Sequence, residues 1–123
     1  MSEYRDRIAT LAERSREDRE AFEPPADPPA EAEALSYLSS GVGEVVAVYV
    51  EGRTGQFAAF DDVEMSLLER ALNDWLELYA RCYGEEIEAE FTVREVAELV
   101  VETHDIGDVA QLLTHVPERR TRA

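Results

Sequence analysis

Residues 44–51, EVVAVYVE, decide the fold class. The run is rich in valine, carries Tyr49, and is apolar on both of its alternating sets of positions. β-Branched and aromatic side chains favour a pleated, half-buried surface. A stretch apolar on both sets suits a strand covered on both faces. The pattern predicts a central β-strand. Residues 52–55, GRTG, follow as a turn, and residues 56–60, QFAAF, return as a second strand. Strand, short glycine-bearing turn and strand together predict a β-hairpin. Arg53 would stand at its tip, either as plain surface polarity or as a cation placed to meet an anionic partner.

Downstream, residues 61–84 (DDVEMSLLERALNDWLELYARCYG) carry the longest uninterrupted helical pattern and the single tryptophan. Asp61 and Glu64 have the spacing of a capping box, in which each side chain takes the other's backbone N–H. Asp61 and Asp62 also suit the positive end of the helix dipole. Apolar residues recur at Leu68, Ala71, Leu72, Trp75, Tyr79 and Cys82, with Leu67, Leu76 and Leu78 widening the stripe. So broad a face predicts packing on a sheet or on several elements, not along one thin seam. Gly84 is placed to end the helix in the left-handed conformation. The row Trp75, Tyr79, Tyr83 reads as core, with an aromatic ligand platform as the alternative.

Residues 85–91, EEIEAEF, alternate, with Ile87, Ala89 and Phe91 on one side and Glu86, Glu88 and Glu90 on the other. The alternation predicts a half-exposed third strand. Its charged outer face suits an edge that must not aggregate. Thr92 and Glu95 form a second capping box, opening a helix over residues 93–103 with Val96, Leu99 and Val100 inward. Residues 105–107 break it. A last helix over residues 108–116 carries Val109, Leu112, Leu113 and Val116, and Pro117 ends it.

Upstream, residues 3–21 predict a helix whose apolar line is sparse: Tyr4, Ile8, Leu11, Ala12 and Ser15. The stripe is narrow and close to a 3.5-residue repeat, as on a helix that docks on one partner. Tyr4, Ile8, Leu11 and Ser15 are therefore the candidate partner-binding residues, the partner being either the rest of the chain or another protein, a second copy included. Arg5, Arg7, Arg14, Arg16 and Arg19 alternate with acids and read as intrahelical ion pairs, not as a nucleic-acid patch. Residues 23–30, EPPADPPA, hold four prolines and predict a stiff, extended connector. Residues 31–39 form a short helix with Ala32, Leu35 and Leu38 on one face, and residues 40–43, SGVG, break it. Gly41-Val42-Gly43 lacks the third glycine and the flanking elements of a dinucleotide loop, and no P-loop lysine is present.

The chain has 123 residues, 12 basic and 28 acidic, for a formal charge of −16. Every basic residue is arginine. With 45% hydrophobic residues it still has enough apolar material to build a core. In dilute buffer that many carboxylates repel one another and oppose the compact state. Salt removes most of the penalty, since the Debye length falls to about 3 Å at 1 M. This composition, without lysine and rich in Glu, Ala, Val and Arg, resembles that of cytosolic proteins of extreme halophiles, haloarchaea above all. The resemblance covers the whole chain and implies a habitat, not a family. A cytoplasmic location is expected, with solvent cations gathered on the acidic surface. The charge disfavours phosphate backbones and anionic membranes. No run of 18 apolar residues suggests a membrane span. The first residues are charged and hold no apolar signal core. The lone Cys82 has no partner for an internal disulfide and reads as a small buried hydrophobe.

The strongest chemical candidate is Glu102, His104, Asp105 and Asp108, since imidazole and carboxylates can hold a metal or move a proton. Their spacing matches no known ligand set, and the group straddles a helix end. No serine lies in a nucleophile elbow. The last two helices also have the outline of a helix–turn–helix. Their readers would be Gln111, Thr114 and His115, and the arginines that might hold phosphate wait until Arg119, Arg120 and Arg122. No catalytic, metal-binding or cofactor-binding residue is assigned.

The reading is a single α+β domain over residues 31–116. It has a small three-stranded antiparallel sheet, the hairpin plus one strand, packed by the long central helix and two C-terminal helices. An N-terminal helical arm (1–22), a proline-rich connector (23–30) and a flexible tail (117–123) complete it. The expected function is a non-catalytic protein–protein interaction or structural module, homodimerisation included. A nucleic-acid-associated regulator is the alternative, with a small metal-dependent enzyme behind it.

Overall fold

A computed structural model describes residues 4–54 and 60–117. In chain order the helices are α1 (Arg5–Ala21), α2 (Glu31–Ser36), a π-helical turn (Tyr37–Val42), α3 (Gly43–Thr54), α4 (Asp62–Cys82), α5 (Val93–Thr103) and α6 (Ile106–Thr114). The long amphipathic stretch forms α4 as expected, and every other helical element touches it. Its capping box is made: the Asp61 carboxylate accepts the Glu64 N–H at 2.8 Å, and the Glu64 carboxylate accepts the Asp61 N–H at 3.0 Å. The broad stripe is spent on several neighbours at once. Leu68, Leu72, Trp75, Leu76 and Leu78 are all fully buried. Gly84, at φ +82°, ends the helix, and the Glu85 N–H reaches back to the Ala80 carbonyl at 3.0 Å.

The expected three-stranded sheet does not form: among the described residues every regular element is helical. Residues 44–51 are the interior of α3. A helix apolar all round is a buried helix, and a short apolar run has no period that separates it from a buried strand. Packed between α1, α4 and α5, α3 buries Val45, Val46, Val48 and Tyr49. Four valines in place of alanines cost a helix roughly 2–3 kcal/mol. Each valine buried returns about 1.5 kcal/mol or more, so burial outweighs propensity. Of the expected return strand, residues 55–59 lie outside the described residues. Phe60 packs edge-on to Tyr4 and stacks on Tyr49, over the Cβ-less face of Gly52.

The expected break at residues 40–43 is also absent. The chain runs on from α2 through the π-helical turn into α3, with the Gly43 N–H bonded to the Leu38 carbonyl five residues back. Gly41 is there to make room: a Cβ on it would lie 2.5 Å from the Trp75 indole. The Ser40 carbonyl is taken by Arg14 at 2.9 Å. The same arginine lies over the Trp75 ring at 5.6 Å, and the indole N–H donates to Asp18 at 2.8 Å.

Residues 85–91 are extended but pair with no strand. Their alternation holds in burial, with Ala89 buried, Ile87 and Phe91 half-buried and the glutamates exposed. The partner is the side of α4. Glu77 accepts the Ala89 N–H at 3.0 Å, Asn73 accepts the Phe91 N–H at 2.9 Å and donates to the Phe91 carbonyl at 3.0 Å, and Glu69 accepts the Val93 N–H at 3.3 Å. Two extended residues advance about 6.6 Å and four helical residues about 6 Å. Positions 89, 91 and 93 therefore match 77, 73 and 69, with the segment running antiparallel to α4. The Thr92–Glu95 capping box then opens α5. α6 starts at Ile106, earlier than expected, because Asp105 is its cap and accepts the Asp108 N–H at 3.0 Å.

Candidate functional site

α3 and α5 lie side by side and antiparallel. The chain leaving α5 brings Ile106 over Gly43 at the start of α3, where an added Cβ would meet the Ile106 Cδ1 at 3.6 Å. Between the two helices runs an open groove of about 500 Å³. Val50 and Ala97 form its floor, and Val101, 54% exposed, forms one wall. At one end stand two cations. Arg53 donates to the Tyr49 hydroxyl at 2.8 Å and lies over the Tyr49 ring at 5.6 Å. Arg94 donates to Glu98 at 3.0 Å, and that hydrogen bond raises the Arg94 pKa above its ordinary value. Arg53 has no carboxylate partner among the described residues. Further along α5, Glu102 gives the groove an acidic end. The sequence reading singled out Arg53 as a positive charge on a negative molecule. It missed the groove, because the groove exists only once α3 is a helix.

A second depression, of about 430 Å³, lies where α1 meets α4 and the extended segment. Its charges are already matched. Arg19 bonds Glu77 at 2.6 Å and Asp74 at 3.2 Å, and the second Glu77 oxygen holds the Ala89 N–H. Burial raises the Asp74 pKa, while Arg19 and Arg70 pull against it. These groups fasten three segments together and leave no chemistry over.

The four candidate partner-binding residues share one inward line within the chain. Ile8 and Ser15 are fully buried and Tyr4 and Leu11 nearly so, where α1 lies on α4 and α3. The Ser15 hydroxyl donates to the Ala12 carbonyl at 3.0 Å. Ahead of this line, Arg5 bonds Asp61 at 2.8 Å and faces the buried Glu64 carboxylate at 3.6 Å. Of the five arginines expected to pair within α1, Arg16 does so, with Glu13 and Glu20. Arg5, Arg7 and Arg19 instead reach acids of other elements, and Arg14 the Ser40 carbonyl, because they flank the face that docks on the rest of the chain.

Glu102, His104, Asp105 and Asp108 are all exposed. Among the described residues, no three His, Cys, Asp or Glu side chains gather as metal ligands would. His104 has another task. It ends α5 in the left-handed conformation at φ 57°, and His115 ends α6 the same way at φ 60°. Left-handed backbone is uncommon outside glycine, and histidine is among the residues enriched there. Each histidine follows a threonine that makes the same two bonds. Thr103 donates to the Leu99 carbonyl and accepts the Asp105 N–H, and Thr114 donates to the Ala110 carbonyl and accepts the Val116 N–H. The sequence reading weighs His104 for chemistry and Thr114 and His115 as DNA readers, and misses that both Thr-His pairs are helix ends.

The three would-be DNA readers are engaged in the fold. Thr114 is buried, His115 caps, and Gln111 donates to the Pro117 carbonyl at 2.7 Å. The aromatic row is core: Trp75 and Tyr79 are buried, and the Tyr79 hydroxyl donates to the Val116 carbonyl at 2.7 Å. Cys82 is buried, and burial pushes its thiol up to about 11. No described helix is long and apolar enough to cross a membrane.

Fold and surface together define a class: a small, strongly acidic domain, helical throughout its described residues and packed around the long helix α4, with an open groove between α3 and α5. The chain belongs to the family described as Domain of unknown function (DUF8055), whose model matches residues 2–118. No curated protein and no solved structure matches it.

Proposed function

We propose that this protein is a non-catalytic protein–protein interaction module whose docking surface is the groove between α3 and α5. The observation that carries the reading is Val101. It is a valine with half its surface open, continuous with Val50 and Ala97, on a molecule whose charge is −16. A single exposed apolar residue needs no explanation, but an apolar strip set in a groove between two helices has the shape of a docking site. α1 supplies the core line Tyr4, Ile8, Leu11 and Ser15, so the surface offered to a partner lies on the α3–α5 side. A second copy of the chain is one partner consistent with this.

A photo-crosslinking side chain at position 101, compared with one at the exposed position 17, tests the proposal. A discrete adduct from 101 alone is expected, and its mass distinguishes a second copy from a different protein. Adducts equal at both positions, or none from 101, overturn the groove as the docking surface.

The composition supports a saline cytoplasm as the working environment. Stability is then expected to fall steeply on dialysis from about 2 M KCl to near-zero ionic strength, as screening of the carboxylates is lost. A circular-dichroism melt unchanged between the two would remove that part of the proposal.

A further inference from the structure

We infer that the α3–α5 groove accepts an amphipathic helix of a partner protein, about two turns long, that sets a carboxylate on Arg53 beside Arg94. The inference rests on the docking reading above and gives its occupant a chemistry. Three features of the groove select it.

The first is length. The groove follows α5 from Arg94 to Glu102, a separation of eight positions, or about 12 Å of helix at 1.5 Å per residue. That is the footprint of a short helix. The second is the apolar strip. Ala97 and Val101 are four residues apart on α5 and face Val50 of α3, a spacing that meets anchors at i and i+3 or i+4 of an incoming helix. The groove is open along its length, whereas a small-molecule site buries roughly 70–90% of its ligand.

The third is charge. The arginines elsewhere on α1 are tied to carboxylates or to the Ser40 carbonyl. Among the described residues, Arg53 meets the hydroxyl and ring of Tyr49 and no carboxylate. Its guanidinium is held in place over that ring and keeps donors for a planar acceptor, which a carboxylate matches. Glu102 repels acid from the opposite end, so the occupant's direction is set as well. Its acidic end lies at Arg53, and a neutral or basic end lies at Glu102.

The test uses the full chain in KCl sufficient to keep it folded. The probes are two hydrocarbon-stapled helical peptides with leucines at i, i+3, i+4 and i+7. One carries glutamates at its first turn, and the other carries glutamines there. NMR amide shifts locate binding and calorimetry gives affinity. Shifts centred on Val50, Ala97 and Val101 are expected, with the glutamate peptide about twofold tighter, since an exposed pair is partly screened at that salt. Arg53→Gln should bring the two peptides to parity, Arg53→Lys should restore part of the preference, and Arg16→Gln should change nothing. Equal binding of both peptides to the wild-type groove overturns the carboxylate and leaves the docking reading intact. No peptide shift, with an adduct still formed from position 101, overturns the helical occupant alone. Loss of both signals overturns the inference and the docking reading together.

Discussion

The backbone of α3 satisfies its own hydrogen bonds, whereas residues 89–93 hand theirs to Glu69, Asn73 and Glu77 on α4. The first region depends on its surroundings only for burial. Any apolar neighbours of about the right shape would keep it helical. The second depends on three particular side chains at four-residue spacing, and each of them serves one or two backbone groups. One region is therefore robust to side-chain change and intolerant of backbone change, and the other is the reverse.

Proline is the sharpest way to break this contrast. Val46→Pro removes an internal hydrogen bond and clashes with the preceding turn of α3, at a cost of about 3 kcal/mol or more. Glu88→Pro falls on an exposed residue whose N–H the ladder skips, and should cost under about 1 kcal/mol. Urea melts in KCl compare the two directly, and equal losses would end the distinction. Asn73→Ala is the converse. It leaves both the N–H and the carbonyl of Phe91 without their partner, for an expected loss of roughly 2 kcal/mol. Hydrogen exchange should quicken most at Phe91, and through α3 only in proportion to the global stability lost.

Cys82 tests whether the extended segment of residues 85–91, a strap along α4, opens together with the end of that helix. Its buried thiol titrates near 11 against an ordinary 9.0. The native state therefore favours the neutral thiol. That contribution is fully present below pH 9.0 and is lost as pH rises through about 11. In native protein at pH 8 a thiol reagent should react only through global opening. Asn73→Ala should speed that reaction only in proportion to the global stability it loses. Faster reaction than this would show that the strap and the end of α4 open together. The smallest effect belongs to His104→Gly. The left-handed φ at that position suits glycine, so the change should be neutral or stabilise by up to about 1 kcal/mol. A loss of stability would mean the imidazole does more than cap.

What was legible in the sequence follows the same division. The two capping boxes, the stripe of α4 and the stop at Gly84 are local, and all are found as read. The alternation in residues 85–91 reported correctly which side chains turn inward. It could not report what they turn toward, because a two-residue period matches the flank of a helix as well as a neighbouring strand. Residues 44–51 misled because valine's preference for strands is weaker than the gain from burying Val45, Val46, Val48 and Tyr49. An isolated two-stranded hairpin is at best marginal. Gly41 misled because its purpose is tertiary: the space belongs to Trp75, 34 positions away by numbering. Arg53 was noticed as a charge, but the cleft it guards appears only after these corrections.

Trp75 has no exposed surface, and its indole N–H is occupied by Asp18. A lone fluorophore sealed in this way makes the molecule its own optical gauge. Its emission should be blue-shifted and shielded from acrylamide while the chain is folded, and should turn red and quenchable when brine is withdrawn. Because the ring is gripped from α1, from the π-helical turn and from within α4, the signal reads the joining of all three, with no label added.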